Sequence, residues 1–122
     1  MPPSNREHWL SIRQPLPSRR VEIPYRRRFT QAEAQRLRRG FWPQGTDDRW
    51  VIEIDGEALQ MWRSWTGFCV FRLAVKTIKN GIEIGPLIVN DDPAQYRRST
   101  NRHDVKTVNE LIRMVLEKTV EA

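Results

Sequence analysis

Two dipeptides that favour tight turns, Asp55-Gly56 and Asn80-Gly81, each lie between β-prone runs in the middle of this chain. Asp-Gly and Asn-Gly are common centres of two-residue hairpin turns, because those turns need residues that accept a positive φ. The flanking runs are rich in β-branched and aromatic residues and alternate with a period near two. Two successive hairpins therefore predict a four-stranded antiparallel β-meander.

Pairing the strands about these turns gives an expected register. It places Trp50 opposite Met61 in the first hairpin and Leu73 opposite Ile88 in the second. One face is then apolar, with Ile52, Leu59, Phe71, Leu73, Val75, Ile84 and Ile88. The other face also carries apolar side chains, among them Val51, Trp62, Val70, Leu87 and Val89. A sheet face exposed to water would be more polar, so we expect the N-terminal segment or a second subunit to cover it.

Helical signals flank the predicted sheet. Thr30 and Glu33 have the spacing of a capping box, and Gly40 follows a run of good helix formers, which predicts a short helix. Beyond the sheet, apolar residues recur at three- and four-residue spacing after Asn101 and Asp104, which are expected to cap a longer helix. The predicted fold is α+β, with a short N-terminal helix and a longer C-terminal helix packed on one face of the four-stranded sheet. Residues 29–122 are predicted to form this single domain.

The first 28 residues differ in composition from the rest of the chain. They hold five of the eight prolines, which disfavour a long helix, yet too many apolar residues for a disordered tail. We expect an extended Arg/Pro-rich arm at residues 1–28, with a short strand near Val21–Ile23, lying on the domain or on another subunit. The net charge of +6 is concentrated here, since residues 1–40 hold ten Arg against three Glu. Such a basic arm suits phosphate or carboxylate partners, or it is a solvated segment that aids solubility.

Several functional classes lack support in the sequence. The single cysteine, Cys69, excludes an internal disulfide and a cysteine-based zinc site, and its apolar strand predicts a small buried hydrophobe. No apolar run approaches the roughly 20 residues that span a bilayer, and the N-terminus has no signal core, so a cytoplasmic protein is expected. His8 and His103 do not have metal-ligand spacing, and no glycine-rich phosphate loop is present. We therefore expect no metal, cofactor or membrane partner. The sequence identifies no catalytic residues, and we expect that the protein is not an enzyme.

The connection from Trp62 to Gly67 has the composition of a ligand site. Trp62 and Trp65 offer flat surfaces on which a planar ligand can stack, and Arg63 offers a planar cationic group. Ser64 and Thr66 add hydroxyls that can donate or accept hydrogen bonds. Together these groups suit a planar anion. We expect Arg63, held between the two indoles, to bind a ligand phosphate or carboxylate. Alternatively, Asp48 or Glu53 neutralises Arg63, and the segment is a tight structural turn with Gly67 at positive φ.

A second basic cluster leads into the C-terminal helix. Arg98 and Arg102 lie beside the helix N-terminus, whose free N–H groups attract anions. We expect both arginines to contribute to the ligand site. The alternative is a solvated loop followed by a helix cap.

The runs RGFWPQ at residues 39–44, DRW at 48–50 and WRSWTGF at 62–68 resemble a family of small bacterial proteins of uncharacterised function. The resemblance covers roughly residues 20–76 and is carried mainly by the RSWTG motif. It implies a bacterial, cytoplasmic, stand-alone domain and no particular activity.

These observations leave three hypotheses for function. The first is a small binding domain for an anionic nucleotide-like ligand or nucleic acid, with Trp62, Arg63, Ser64, Trp65, Thr66, Arg98 and Arg102 at the site. The second is a protein-interaction or oligomerisation module, with a homodimer formed through the arm or the mixed sheet face. The third is a small enzyme acting on a nucleotide-like substrate.

Overall fold

The computed structural model describes residues 5–43 and 48–118 and confirms an α+β fold with an antiparallel sheet. The helices are α1 (Asn5–Ile12), α2 (Gln31–Arg39) and α3 (Asn101–Glu117). The strands are β1 (Arg20–Ile23), β2 (Arg27–Thr30), β3 (Trp50–Asp55), β4 (Ala58–Arg63), β5 (Cys69–Ile78) and β6 (Gly81–Asn90). No described helix has both the length and the apolar character needed to cross a membrane.

Over the described residues the sheet has six strands, so the prediction of four was too low. Its order is β1-β6-β5-β4-β3, and β2 also pairs with β6. β1 is the short strand expected near Val21–Ile23, and β2 spans the predicted boundary between the arm and the domain. β1 pairs with one end of β6 and β2 with the other. They form one interrupted edge because Pro24 has no N–H to donate, and the break lies opposite Gly85-Pro86.

Both predicted registers were shifted. Trp50 pairs with Arg63, not Met61, because the first hairpin loop is Gly56-Glu57, with Gly56 at φ 64°. This shift of two residues leaves the faces unchanged.

The second hairpin loop is Lys79-Asn80, with Asn80 at φ 67°, so Val75 pairs with Ile84 and not with Pro86. A slip of one residue between Leu73 and Val75 then pairs Leu73 with Leu87, not Ile88. That irregularity turns Leu87 and Val89 to the main apolar face and Ile88 to the other. The predicted faces of these three residues were therefore wrong.

Helices α2 and α3 cover the main face of the sheet. Leu37 of α2 and Val108 and Ile112 of α3 are completely buried in one cluster with sheet residues such as Phe71 and Leu73. The predicted packing of the C-terminal helix on one sheet face is thus confirmed. The capping box of α2 is also present, whereas α3 is capped by Thr100 and not by Asn101 or Asp104.

The N-terminal segment covers part of the opposite face. Leu16 is buried there in a second cluster with Val51, Trp62 and Cys69, and Trp9 of α1 packs against that cluster. This segment was expected to be extended, yet its first described residues form α1, in a stretch free of proline up to Pro15. The prediction that the mixed face is covered by the chain's own N-terminal segment is confirmed for this half of the sheet.

Candidate functional site

The Trp62–Gly67 segment is a hydrogen-bonded turn that joins β4 to β5. The Arg63 N–H donates to the Phe68 carbonyl at 2.9 Å, and the Gly67 N–H donates to the Arg63 carbonyl at 2.9 Å. Gly67 has φ 76°, and a Cβ at this position would lie 2.4 Å from the Ile12 carbonyl oxygen. The turn therefore needs glycine both for its conformation and for the close approach of α1.

The two hydroxyl residues of the segment stabilise this turn. Ser64 is completely buried, and its Oγ donates to the Asp48 carbonyl at 2.9 Å. Thr66 Oγ1 accepts from the Phe68 N–H at 3.3 Å. The structure therefore gives Ser64 and Thr66 structural roles, and Ser64 has no free path to a ligand.

Trp62 also has a structural position, on the face covered by the N-terminal segment. Its indole Nε1 donates to the Gln14 carbonyl at 3.1 Å, and the Arg13 guanidinium lies 5.3 Å from its ring centroid. Arg13 in turn pairs with Glu53 at 3.1 Å. Trp62 and Arg63 are consecutive in β4 and point to opposite faces, so the expected clasp of Arg63 between Trp62 and Trp65 is not formed.

Arg63 instead stacks on Trp50. The two residues are cross-strand partners, and the guanidinium carbon lies 4.6 Å from the Trp50 ring centroid. Trp50 is itself stacked on the buried Phe71, with centroids 5.8 Å apart and planes inclined by 21°. The sequence interpretation missed the role of Trp50 because it placed Met61, and not Arg63, opposite Trp50. A hairpin loop that starts at Gly56 would have given the correct pair.

The Arg63 guanidinium is partly exposed and unneutralised within the described part of the chain. No carboxylate of residues 5–43 or 48–118 forms an ion pair with it. Glu53, one of the two acids considered as its partner, is committed to Arg13 on the other face. Two residues beyond Arg63, the Trp65 side chain is 66% exposed. A cation stacked on an aromatic ring and a solvent-exposed indole thus lie two residues apart in the same turn.

Arg98 is neutralised within the fold. Its Nε lies 2.9 Å from the Asp104 carboxylate, which is completely buried and also accepts from the Tyr96 hydroxyl at 2.8 Å. Burial, together with the hydrogen bond to that carboxylate, raises the pKa of Tyr96. Tyr96 packs edge-on against Phe71. Arg98 therefore has a structural role in anchoring the loop before α3, and its charge is neutralised by Asp104.

Arg102 is exposed on the first turns of α3, in a different environment from Arg63. It lines an open groove between α3 and β2, together with Arg27 and Lys106. The predicted site residues thus fall into three groups: Arg63, Trp65 and Thr66 are accessible in the turn, Arg102 is exposed on α3, and Trp62, Ser64 and Arg98 are largely buried. Arg27 and Lys106 were missed by the sequence interpretation, although Arg102 and Lys106 have the four-residue spacing of one helix face.

The described residues provide no arrangement for metal binding, with no group of three or more His, Cys, Asp or Glu suitably placed. Cys69 is buried, and that burial raises the pKa of its thiol to about 12. The prediction of a buried, hydrophobe-like cysteine is confirmed.

No protein-family model, curated protein or solved structure matches this chain. The resemblance based on the RSWTG motif therefore stays a prediction.

Proposed function

We propose that this protein is a binding domain for an anionic, aromatic-bearing ligand, either a nucleotide or a nucleic acid. The observation that carries the proposal is the Arg63 guanidinium, stacked on Trp50 and without a carboxylate partner among the described residues. An unpaired arginine at a partly buried position retains its capacity for bidentate bonds to phosphate.

The aromatic side chains support the same ligand class. Trp65 exposes two-thirds of its surface, and an exposed indole can stack with a nucleobase irrespective of base identity. Trp50 holds the guanidinium from below, and its own stacking on Phe71 limits its movement. A preorganised cation loses less conformational entropy on binding than a free side chain does.

Six of the seven residues assigned from the sequence contribute to this proposal in different ways, and the seventh, Arg102, lies apart on α3. Arg63 and Trp65 contact the ligand, and Trp50 joins them. Trp62, Ser64 and Thr66 fix the turn that presents the site, and Arg98 anchors the neighbouring loop through Asp104. Catalysis is not part of the proposal, because Ser64 is buried and bonded to the main chain.

Titration of AMP and of a short oligothymidylate at low salt, followed by tryptophan fluorescence, tests the proposal. Arg63→Gln removes charge-assisted hydrogen bonds worth about 1.5–3 kcal/mol, so the affinity should fall about 10- to 100-fold. Trp65→Ala should cost about 1–3 kcal/mol of base stacking. Arg38→Gln is the matched control, because Arg38 is an exposed arginine of α2 beside Gly81 at the opposite end of the sheet.

The result that would reject the proposal is equally direct. Binding that is absent at low salt, or that Arg63→Gln and Arg38→Gln weaken to the same extent, shows that Arg63 does not form the site.

A second candidate function is protein association through an apolar patch. Trp65 and Leu10, which is 43% exposed, are the exposed large hydrophobic side chains of the described chain. Light scattering over a range of concentrations separates the candidates: a dimer lost in Trp65→Ala favours association, whereas a monomer that binds AMP favours the ligand site.

The first proposal includes a cytoplasmic location and membership of the bacterial family that the RSWTG motif resembles. The buried free thiol of Cys69 is compatible with a reducing compartment.

A further inference from the structure

An open groove between α3 and the β2 edge carries a stripe of cationic and amide side chains. Arg102, Lys106, Asn109 and Arg113 lie on one face of α3, at successive spacings of four, three and four residues, and line the groove with Arg27 of β2. Eleven residues of α-helix rise about 16 Å, so this stripe extends over several nucleotides of an extended strand.

The cations of the groove retain their charge for a ligand. None of Arg27, Arg102, Lys106 and Arg113 belongs to an ion pair within the described residues. The groove also contains Glu110, in the middle of α3, and Glu117 at the C-terminal end of that helix. The half nearest the start of α3 is therefore the more positive one.

The segment that contains Tyr25 and β2 contacts α3 and forms the other side of the groove. The Tyr25 hydroxyl donates to the Asn109 side-chain oxygen, and the Arg27 guanidinium lies 4.8 Å from the Phe29 ring centroid. The neighbouring arginines, Arg26 and Arg28, both pair with Glu83. Arg27 alternates with them along the strand, so it alone of the three faces the groove.

The start of α3 lies at the same end of the sheet as the Arg63 site. Strands β4 and β6 are both adjacent to β5 and antiparallel to it, so Arg63 and Asn90 lie at the same end of the sheet. The chain runs from Asn90 past Tyr96, which packs edge-on against Phe71, the ring on which Trp50 of the Arg63 site also stacks. Arg98 then bonds the Asn101 side chain at the start of α3. The turn and the groove are thus joined through this loop.

We infer that the ligand of the proposed site is a single-stranded nucleic acid whose backbone continues from Arg63 along the Arg102–Lys106–Arg113 groove. This inference rests on the proposed function and narrows it from nucleotides in general to a polymer. A single strand fits because Trp65 can stack only on a base whose face is uncovered, and bases inside a duplex are already stacked on their neighbours. The net positive groove complements a chain of phosphates, whereas a single nucleotide bound at Arg63 has no further phosphates to place in it.

The double variant Arg102→Gln/Lys106→Gln tests this path, with thymidine monophosphate and a twelve-residue oligothymidylate as ligands. Each phosphate contact with a single strand contributes a salt slope of about 0.7, which is about fivefold in affinity between 1 M and 0.1 M salt. Loss of both contacts should weaken oligonucleotide binding about 25-fold at 0.1 M salt and reduce the slope by about 1.4. Affinity for the mononucleotide should not change.

Arg38→Gln/Arg39→Gln is the matched control, because it removes the same charge from exposed positions of α2. Equal effects of the two double variants on the oligonucleotide would overturn the inference, as would tighter binding of a twelve-base-pair duplex than of the single strand. If mononucleotide binding still depends on Arg63, the proposed function survives either result. If Arg63→Gln changes neither ligand, the proposed function itself fails.

Discussion

Replacing Asp104 with alanine should destabilise this protein far more than replacing any exposed acid. The Asp104 carboxylate is completely buried, and it accepts hydrogen bonds from both Arg98 and Tyr96. Removing one partner of a buried ion pair costs about 3–5 kcal/mol. The Arg98 side chain is 17% exposed and can regain some hydration, so we take about 2–3 kcal/mol for this part.

The Tyr96 hydroxyl adds a second contribution, since it loses its acceptor in Asp104→Ala. A hydrogen bond of this kind is worth about 1 kcal/mol, which brings the expected loss in free energy of unfolding to about 3–4 kcal/mol. Tyr96→Phe alone should cost about 1 kcal/mol. In the double variant the two losses should not add, because both remove the same hydrogen bond.

Urea unfolding followed by far-UV circular dichroism measures these free energies. Asp55→Ala is the control: its carboxylate is about half exposed and lies 3.7 Å from Arg13, so the loss should stay below about 1 kcal/mol. A loss below 1 kcal/mol for Asp104→Ala, or full additivity with Tyr96→Phe, would refute the assigned role of Asp104.

Two further predictions concern the turn and the buried thiol. Gly67→Ala should destabilise the protein by at least about 1 kcal/mol more than Gly56→Ala, because both positions have positive φ but only a Cβ at Gly67 would meet the Ile12 main chain. Equal losses in free energy of unfolding would show that the close approach of α1 is unimportant. Cys69 should not react with a disulfide reagent at pH 8 in the native protein, since a thiol with a pKa of about 12 is ionised to only about one part in ten thousand. Rapid stoichiometric labelling without denaturant would contradict the burial of this thiol.

Local sequence signals predicted the central part of the fold. The turn dipeptides identified two hairpins, and Thr30, Glu33 and Gly40 identified α2, because these features depend on a few neighbouring residues. The sequence predicts a strand near Val21–Ile23, which is β1, but no strand at β2. β2 is only four residues long, and it depends on pairing with β6, a contact distant in sequence that a local pattern does not contain.

The candidate site shows a similar limit. Composition correctly drew attention to the Trp62–Gly67 segment as polar and aromatic, yet the geometry of Arg63 depends on a register that the turn dipeptide left ambiguous by two residues. The corrected register makes Arg63, not Met61, the cross-strand partner of Trp50. Asp104 was similarly interpreted as a cap, because its burial against Arg98 becomes visible only when the preceding loop is folded.

The central claim is that Arg63, Trp50 and Trp65 form a binding surface, and the indole N–H resonances of the five tryptophans test it most directly. On addition of AMP at low salt to ¹⁵N-labelled protein, the Trp50 and Trp65 signals should shift. The Trp62 signal should stay in place, because its indole N–H is bonded to Gln14 on the opposite face. Absence of any shift at millimolar AMP, or a shift of Trp62 with Trp50 and Trp65 unchanged, would contradict the claim.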